Sequence, residues 1–198
     1  DYSDEGKDDG DEEDDAAVLA GRKQVDLNAS QSAESGTAIR LSGGGPRLSG
    51  VATLQIQDLV CLLSCNRCSA SSSVPLSCCD DGSATVRVWC EGCCTLISAS
   101  LRPALLHQMS GAASLDSGEA DGPALCYVDT DGTCSVADVL PQSTLFVTCG
   151  GCGAPAVLPP PGLARGSATC ATCRRCHEAM SVKIMGVSIQ VISESKIE

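Results

Sequence analysis

Four Cys-x-x-Cys pairs constrain this 198-residue chain more than any other feature: Cys65/Cys68, Cys90/Cys93, Cys149/Cys152 and Cys173/Cys176. The first two pairs are separated by 21 residues and the last two by 20, close to the Cys-x₂-Cys-x₁₅₋₂₀-Cys-x₂-Cys spacing of zinc sites. The spacing has a physical basis. Two intervening residues let a tight turn aim both sulfurs and the local amides at one ion, and a hairpin of about twenty residues returns the second turn to the first.

The remaining composition explains why such staples are needed. The chain has one Trp, one Phe and two Tyr, so it has little material for an aromatic core, and small domains of this kind usually need disulfides or metal. Fifteen cysteines is an odd number, no basic segment followed by an apolar run is visible, and Cys-x-x-Cys pairs are poor geometry for structural bridges. Metal in a reducing compartment, cytosol or nucleus, is therefore expected.

The two sets resemble each other beyond their cysteines. Cys61-Leu-Leu-Ser-Cys65 matches Leu145-Phe-Val-Thr-Cys149, and Gly82-Ser-Ala-Thr85 recurs as Gly166-Ser-Ala-Thr169. Ile97-Ser-Ala-Ser-Leu101 matches Met180-Ser-Val-Lys-Ile184. On these residues the chain resembles the zinc-ribbon (rubredoxin-like) class in duplicate, over 51–101 and 142–192. The resemblance implies a small, mainly β fold of two tandem ribbons, with two structural Zn²⁺ per chain held by the eight cysteines named above. Such ribbons serve many functions, so the fold transfers no role.

Other readings use the same thiols. Cys90/Cys93 and Cys149/Cys152 are 55 residues apart, a spacing resembling β-tent domains, in which case the outer pairs would share the other ion. The repeat favours local pairing, because each repeat is one structural unit. Cys173-Arg-Arg-Cys-His177 also fits a haem-attachment pattern, and a thioredoxin-like dithiol is a further rival. The other seven cysteines, at 61, 78, 79, 94, 126, 134 and 170, are expected as small buried hydrophobes, with Cys94 and Cys170 beside the sites. Trp89 and Phe146 are expected to pack over the metals.

Outside the ribbons the sequence is looser. Residues 1–15 hold ten acidic residues and one lysine, most of the formal net charge of −12, and are expected to be disordered. Residues 16–27 suit a short amphipathic helix and 28–50 a Ser/Gly-rich linker, so that order begins near Val51. Residues 102–141 read as an acidic insert. In it, Pro103–Met109 suggests a two-turn helix, and Asp129-Thr-Asp-Gly132 a turn, because position 140 is Leu where a calcium loop needs Glu. His107 is expected to be structural.

No phosphate-binding Gly-rich loop, nucleophile elbow or His-Glu-x-x-His helix is present. Four thiolates would close a zinc site, which makes it a poor Lewis acid. The expectation is a non-enzymatic zinc-binding module for protein interaction, with protein partners and no membrane contact. Nucleic-acid binding through Arg165, Arg174, Arg175 and Lys183 is the alternative, and thiol redox or metal handling the second.

Overall fold

In the computed structural model, residues 36–78, 84–108, 121–166 and 168–192 are described. They contain fourteen strands and no α-helix. The first half holds β1 (Gly36–Ser42), β2 (Arg47–Ser49), β3 (Val51–Cys65), β4 (Ser71–Ser77), β5 (Ala84–Trp89), β6 (Leu96–Pro103) and β7 (Leu106–His107). The second holds β8 (Asp121–Thr130), β9 (Cys134–Val139), β10 (Thr144–Cys149), β11 (Pro155–Leu158), β12 (Ala168–Thr172), β13 (Ala179–Lys183) and β14 (Gly186–Ile192). No helix of these residues is long and apolar enough to cross a membrane.

β3 organises the fold. Its burial alternates with period two in two stretches, Leu54 and Ile56, then Leu59, Cys61 and Leu63, and the phase slips by one residue at Gln57/Asp58, where the register against the facing strand also shifts. At fifteen residues it extends about 50 Å and takes different partners along its length. The N-terminal part pairs antiparallel with β10, from Cys149↔Val51 to Thr144↔Asp58. The C-terminal part pairs with β4 on one edge and β9 on the other. With β11 beyond β10 and β7 on Thr53 and Leu54, this makes a six-stranded sheet. A five-stranded sheet runs β14-β1-β8-β6-β5, and a small one runs β12-β13-β2.

One apolar cluster joins all three sheets, from Ile39 and Leu41 through Leu54, Leu101 and Val128 to Leu158 and Val182. The described residues belong to one unit, Glu34–Glu198, which contains both 51–101 and 142–192. The β3–β10 pairing ties those two segments along a shared ladder.

Three expectations need correction. Order does not begin near Val51: β1 and β2 lie in the expected linker, and β1 sits between β14 and β8 with Ala38, Ile39 and Leu41 fully buried. The short run Ala-Ile-Arg-Leu carried that signal, but Ser and Gly around it masked it. The expected insert supplies β8 and β9, and Leu125, Cys126 and Val128 are core residues. Pro103–Met109 does not form the expected two-turn helix: Leu106–His107 is strand, and of its described residues only Gln108 is 3₁₀-helical. Leu106–His107 pairs with β3, burying Leu106 and exposing Leu105, a strand alternation that the open edge of β3 stabilises. The acidic run 1–15 and the helix expected at 16–27 lie outside the described residues.

Candidate metal centres

All four Cys-x-x-Cys pairs occupy the tips of antiparallel hairpins: β3–β4, β5–β6, β10–β11 and β12–β13. The four tips share one construction. The amide of the first cysteine donates to the carbonyl five residues on: Cys65 to Ala70, Cys90 to Thr95, Cys149 to Ala154 and Cys173 to Glu178, at 2.8–2.9 Å. The residue four positions on donates back to the carbonyl of that cysteine, from Ser69, Cys94, Gly153 and His177. Each of these residues is left-handed, with φ of 60°, 53°, 68° and 61°. Only Gly153 adopts that conformation without steric cost; the other three pay about 1–2 kcal/mol each. That the same strain recurs at three tips indicates that the turn is held for what the sulfurs do.

The tips converge in two sets. In the first, Cys65 Sγ lies 3.6 Å from Cys93 Sγ, and Cys68 Sγ 3.4 Å from Cys90 Sγ. In the second, Cys149–Cys176 and Cys152–Cys173 are each 3.5 Å apart. Within each set all four sulfurs lie within 4.8 Å of one another. Tetrahedral zinc–thiolate bonds of about 2.3 Å place sulfurs about 3.8 Å apart, so both clusters have the size of a Cys₄ zinc site. These contacts are far longer than a disulfide, and all eight cysteines are free thiols.

The sequence-derived ligand candidates therefore fall into two local sets; the alternative pairing of Cys90/Cys93 with Cys149/Cys152 is not seen. Each set bridges two sheets. The first joins the six-stranded sheet to the five-stranded one, and the second joins it to the small β12-β13-β2 sheet. In both, the first cysteine of each tip (Cys65, Cys90, Cys149, Cys173) is buried against the core. Cys68 and Cys176 face solvent.

Local donors favour thiolates. Thr95, whose Oγ1 lies 3.2 Å from Cys93 Sγ, holds the Cys93 thiol down to about 6. The amides of Cys176 and Arg175 hold Cys173 down to about 6. Their neighbours move the other way. The Ala70 amide lowers Cys68, yet hydrogen bonds with Cys90 and Cys93 outweigh it and push Cys68 up to about 12. Thiols that share protons in this way can all ionise together beside a cation. Thr95 was not singled out from the sequence; its place one residue past Cys94 was the only available signal.

The remaining cysteines divide. Cys61, Cys126 and Cys134 are buried core residues, and burial raises their thiols, Cys61 to about 12. Cys78 is half-buried, Cys94 and Cys170 are exposed, and Cys79 lies outside the described residues. Trp89 does not cover a cluster: it is 67% exposed. Phe146 lines a groove beside the second cluster. His177 serves as the left-handed residue of its tip, and Cys173 and Cys176 face the other pair. Asp129–Gly132 ends β8 in a turn, with Asp131 Oδ1 accepting from the Thr133 amide at 3.0 Å.

No family model and no curated protein matches this chain. Two solved structures share its fold. A hypothetical protein from Plasmodium falciparum is similar with a TM-score of 0.51 at 9% identity, over 79% of this chain and 98% of that one. C1orf123 is similar with a TM-score of 0.50 at 10% identity, with the same coverages.

Proposed function

We propose that this chain is a non-enzymatic zinc protein that presents interaction surfaces on a rigid β scaffold. The observation that supports it is the gathering of four cysteine sulfurs in each cluster: four thiolates would fill a tetrahedral zinc's coordination sphere and leave no position for a substrate or a reactive water. Zinc bound there would lock pairs of hairpins whose sheets share one core, and Cys65, Cys68, Cys90 and Cys93 would hold one ion, Cys149, Cys152, Cys173 and Cys176 the other. Thiolates of this kind belong in a reducing compartment, the cytosol or nucleus.

We also infer that the two clusters descend from one duplicated zinc-ribbon-like unit. Each is built from two consecutive hairpins, and even an accessory bond is matched. Asn66 of the first tip donates to the Thr133 carbonyl, and Gly150 of the third donates to Gly50, both at 2.9 Å.

Capture experiments with the zinc-loaded chain test the interaction role. Specific, saturable protein partners are expected; recovery of none above background removes the reading.

Nucleic-acid binding is supported by one observation. Arg47 and Lys183 are directly opposed on β2 and β13, and Arg165, Arg174 and Arg175 lie near the same small sheet. Like charges in register repel, and a phosphate chain would offset that. A salt-dependent gel shift is the expected sign. The thiol-redox alternative rests on exposed Cys94 and Cys170 and predicts fast alkylation of both in the zinc-loaded chain.

A further inference from the structure

A groove of about 540 Å³ opens beside the second cluster, lined by Phe146, Pro155, Ala156, Val157, Ala171, Thr172 and Arg174. Its walls are two sheet edges. β11 pairs only with β10 and β12 only with β13, so each presents an unpaired backbone edge among the described residues. Such edges are templates for an added strand. The groove is apolar along β10 and β11, where Phe146 stands opposite Val157 beside Pro155 and Ala156, and Val157 is 51% exposed, so the apolar residues form one contiguous patch. At the other wall, Arg174 projects from the tip between Cys173 and Cys176. It has no ion-pair partner among the described residues.

We propose that this groove binds an extended peptide segment of a partner protein, which adds as a strand along β11 or β12. An aliphatic or aromatic side chain of the peptide packs on Phe146 and Val157, and an Asp or Glu carboxylate pairs with Arg174. The proposal deepens the interaction reading above and rests on it. Charge decides the chemistry of the occupant. From position 139 to 192 the only acidic residue is Glu178, against Arg165, Arg174, Arg175 and Lys183, so this side of an otherwise acidic chain attracts carboxylates. The groove's size suits a short run of residues, and its apolar floor selects against a bare phosphate chain, which would bury no side chain there.

The corresponding place by the first cluster serves as an internal control. There the edge strand β4 reads Ser71-Ser-Ser-Val74, and Glu91 stands between Cys90 and Cys93 where the second cluster has Arg174. That tip therefore tolerates a glutamate beside its cysteines, and Arg174→Glu is expected to keep its metal.

The test selects a random-peptide display library on the zinc-loaded wild-type chain and measures the enriched peptides on Arg174→Glu and Val157→Lys, each checked for unchanged metal content. The expected peptides combine a large apolar residue with Asp or Glu and lose about tenfold or more in affinity on each variant. Replacing their acid by Lys restores binding to Arg174→Glu. Failure to enrich any peptide overturns the proposal, as does undiminished, wild-type affinity on both variants. So does binding of polyuridylate that Arg174→Glu abolishes, which would assign the groove to phosphate, or a dimer that buries β11. A double variant that still captures the wild-type partners removes the groove and leaves the interaction role standing; a wild-type chain that captures nothing removes both.

Discussion

The two cysteine clusters are built alike and placed differently. Every tip uses the same pair of backbone hydrogen bonds and the same left-handed residue. Yet the first cluster joins the six- and five-stranded sheets, which contribute most of the buried core, whereas the second joins the six-stranded sheet to three short strands. Its small sheet shows solvent a face of Cys170, Thr172, Ala179, Ser181 and Ser49, the wall of a shallow depression. The residues between the cysteines follow the same division. Glu91-Gly92 in the first cluster occupies the position that Arg174-Arg175 holds in the second. One local chemistry thus serves two ends: the first cluster holds the body together, and the second fixes a surface.

The sharpest way to break this comparison is to remove one buried ligand from each. Cys90→Ser and Cys173→Ser should each lose one zinc by native mass spectrometry, with a binding free energy on the order of 10 kcal/mol at stake. The two should then differ in thermal melting. Cys90→Ser is expected to lower the midpoint of the whole transition, and Cys173→Ser to loosen β12, β13 and β2 first, seen as faster amide exchange there. Equal global destabilisation would dissolve the distinction.

A smaller effect separates the clusters through their glycines. A Cβ at Gly92 would stand 3.1 Å from Cys68 Sγ and 3.0 Å from Ala70, while one at Gly151 would meet nothing closer than Cys176 Sγ at 3.7 Å. Gly92→Ala should therefore weaken the first site by about 1–3 kcal/mol through overpacking, and Gly151→Ala should leave the second nearly unchanged. Competition with a chelator measures both.

The smallest expected effect is on acid release. The Thr95 hydroxyl lowers Cys93, whose folded value of about 6 lies below its ordinary 9.0. The thiolate preference it confers is fully present above pH 9 and fades as pH falls through 6. Thr95→Val removes that donor, the thiol rises, and protons displace metal from the first site at a higher pH than before. The second site should not move, because backbone amides, which no side-chain change removes, hold Cys173 down. A pH titration of metal release on single-site variants reads the difference.

The clusters were legible because a Cys-x-x-Cys turn is a local object: spacing alone puts its two sulfurs together, and matched spacing suggested which turns meet. The mainly β fold was legible through the repeat's resemblance to zinc ribbons, and Leu54-Gln-Ile-Gln57 carries the apolar–polar alternation of a strand. The boundaries were not. β1 and β8 are recruited by long-range pairing, Ile39 opposite Cys126 and Ile189, and the short apolar run that marks β1 does not reveal those partners. Trp89 misled for a related reason: it precedes a cysteine, but its strand register turns it outward. The groove was hidden because β11 and β12 come from different sheets and only the fold brings their edges together.

Metal content per chain, measured under reducing conditions together with thiol reactivity, tests the central claim most directly. Two zinc ions per chain and eight cysteines protected until a chelator is added are expected. Zinc-free protein with eight promptly reactive thiols, or with these cysteines oxidised to disulfides, would contradict it.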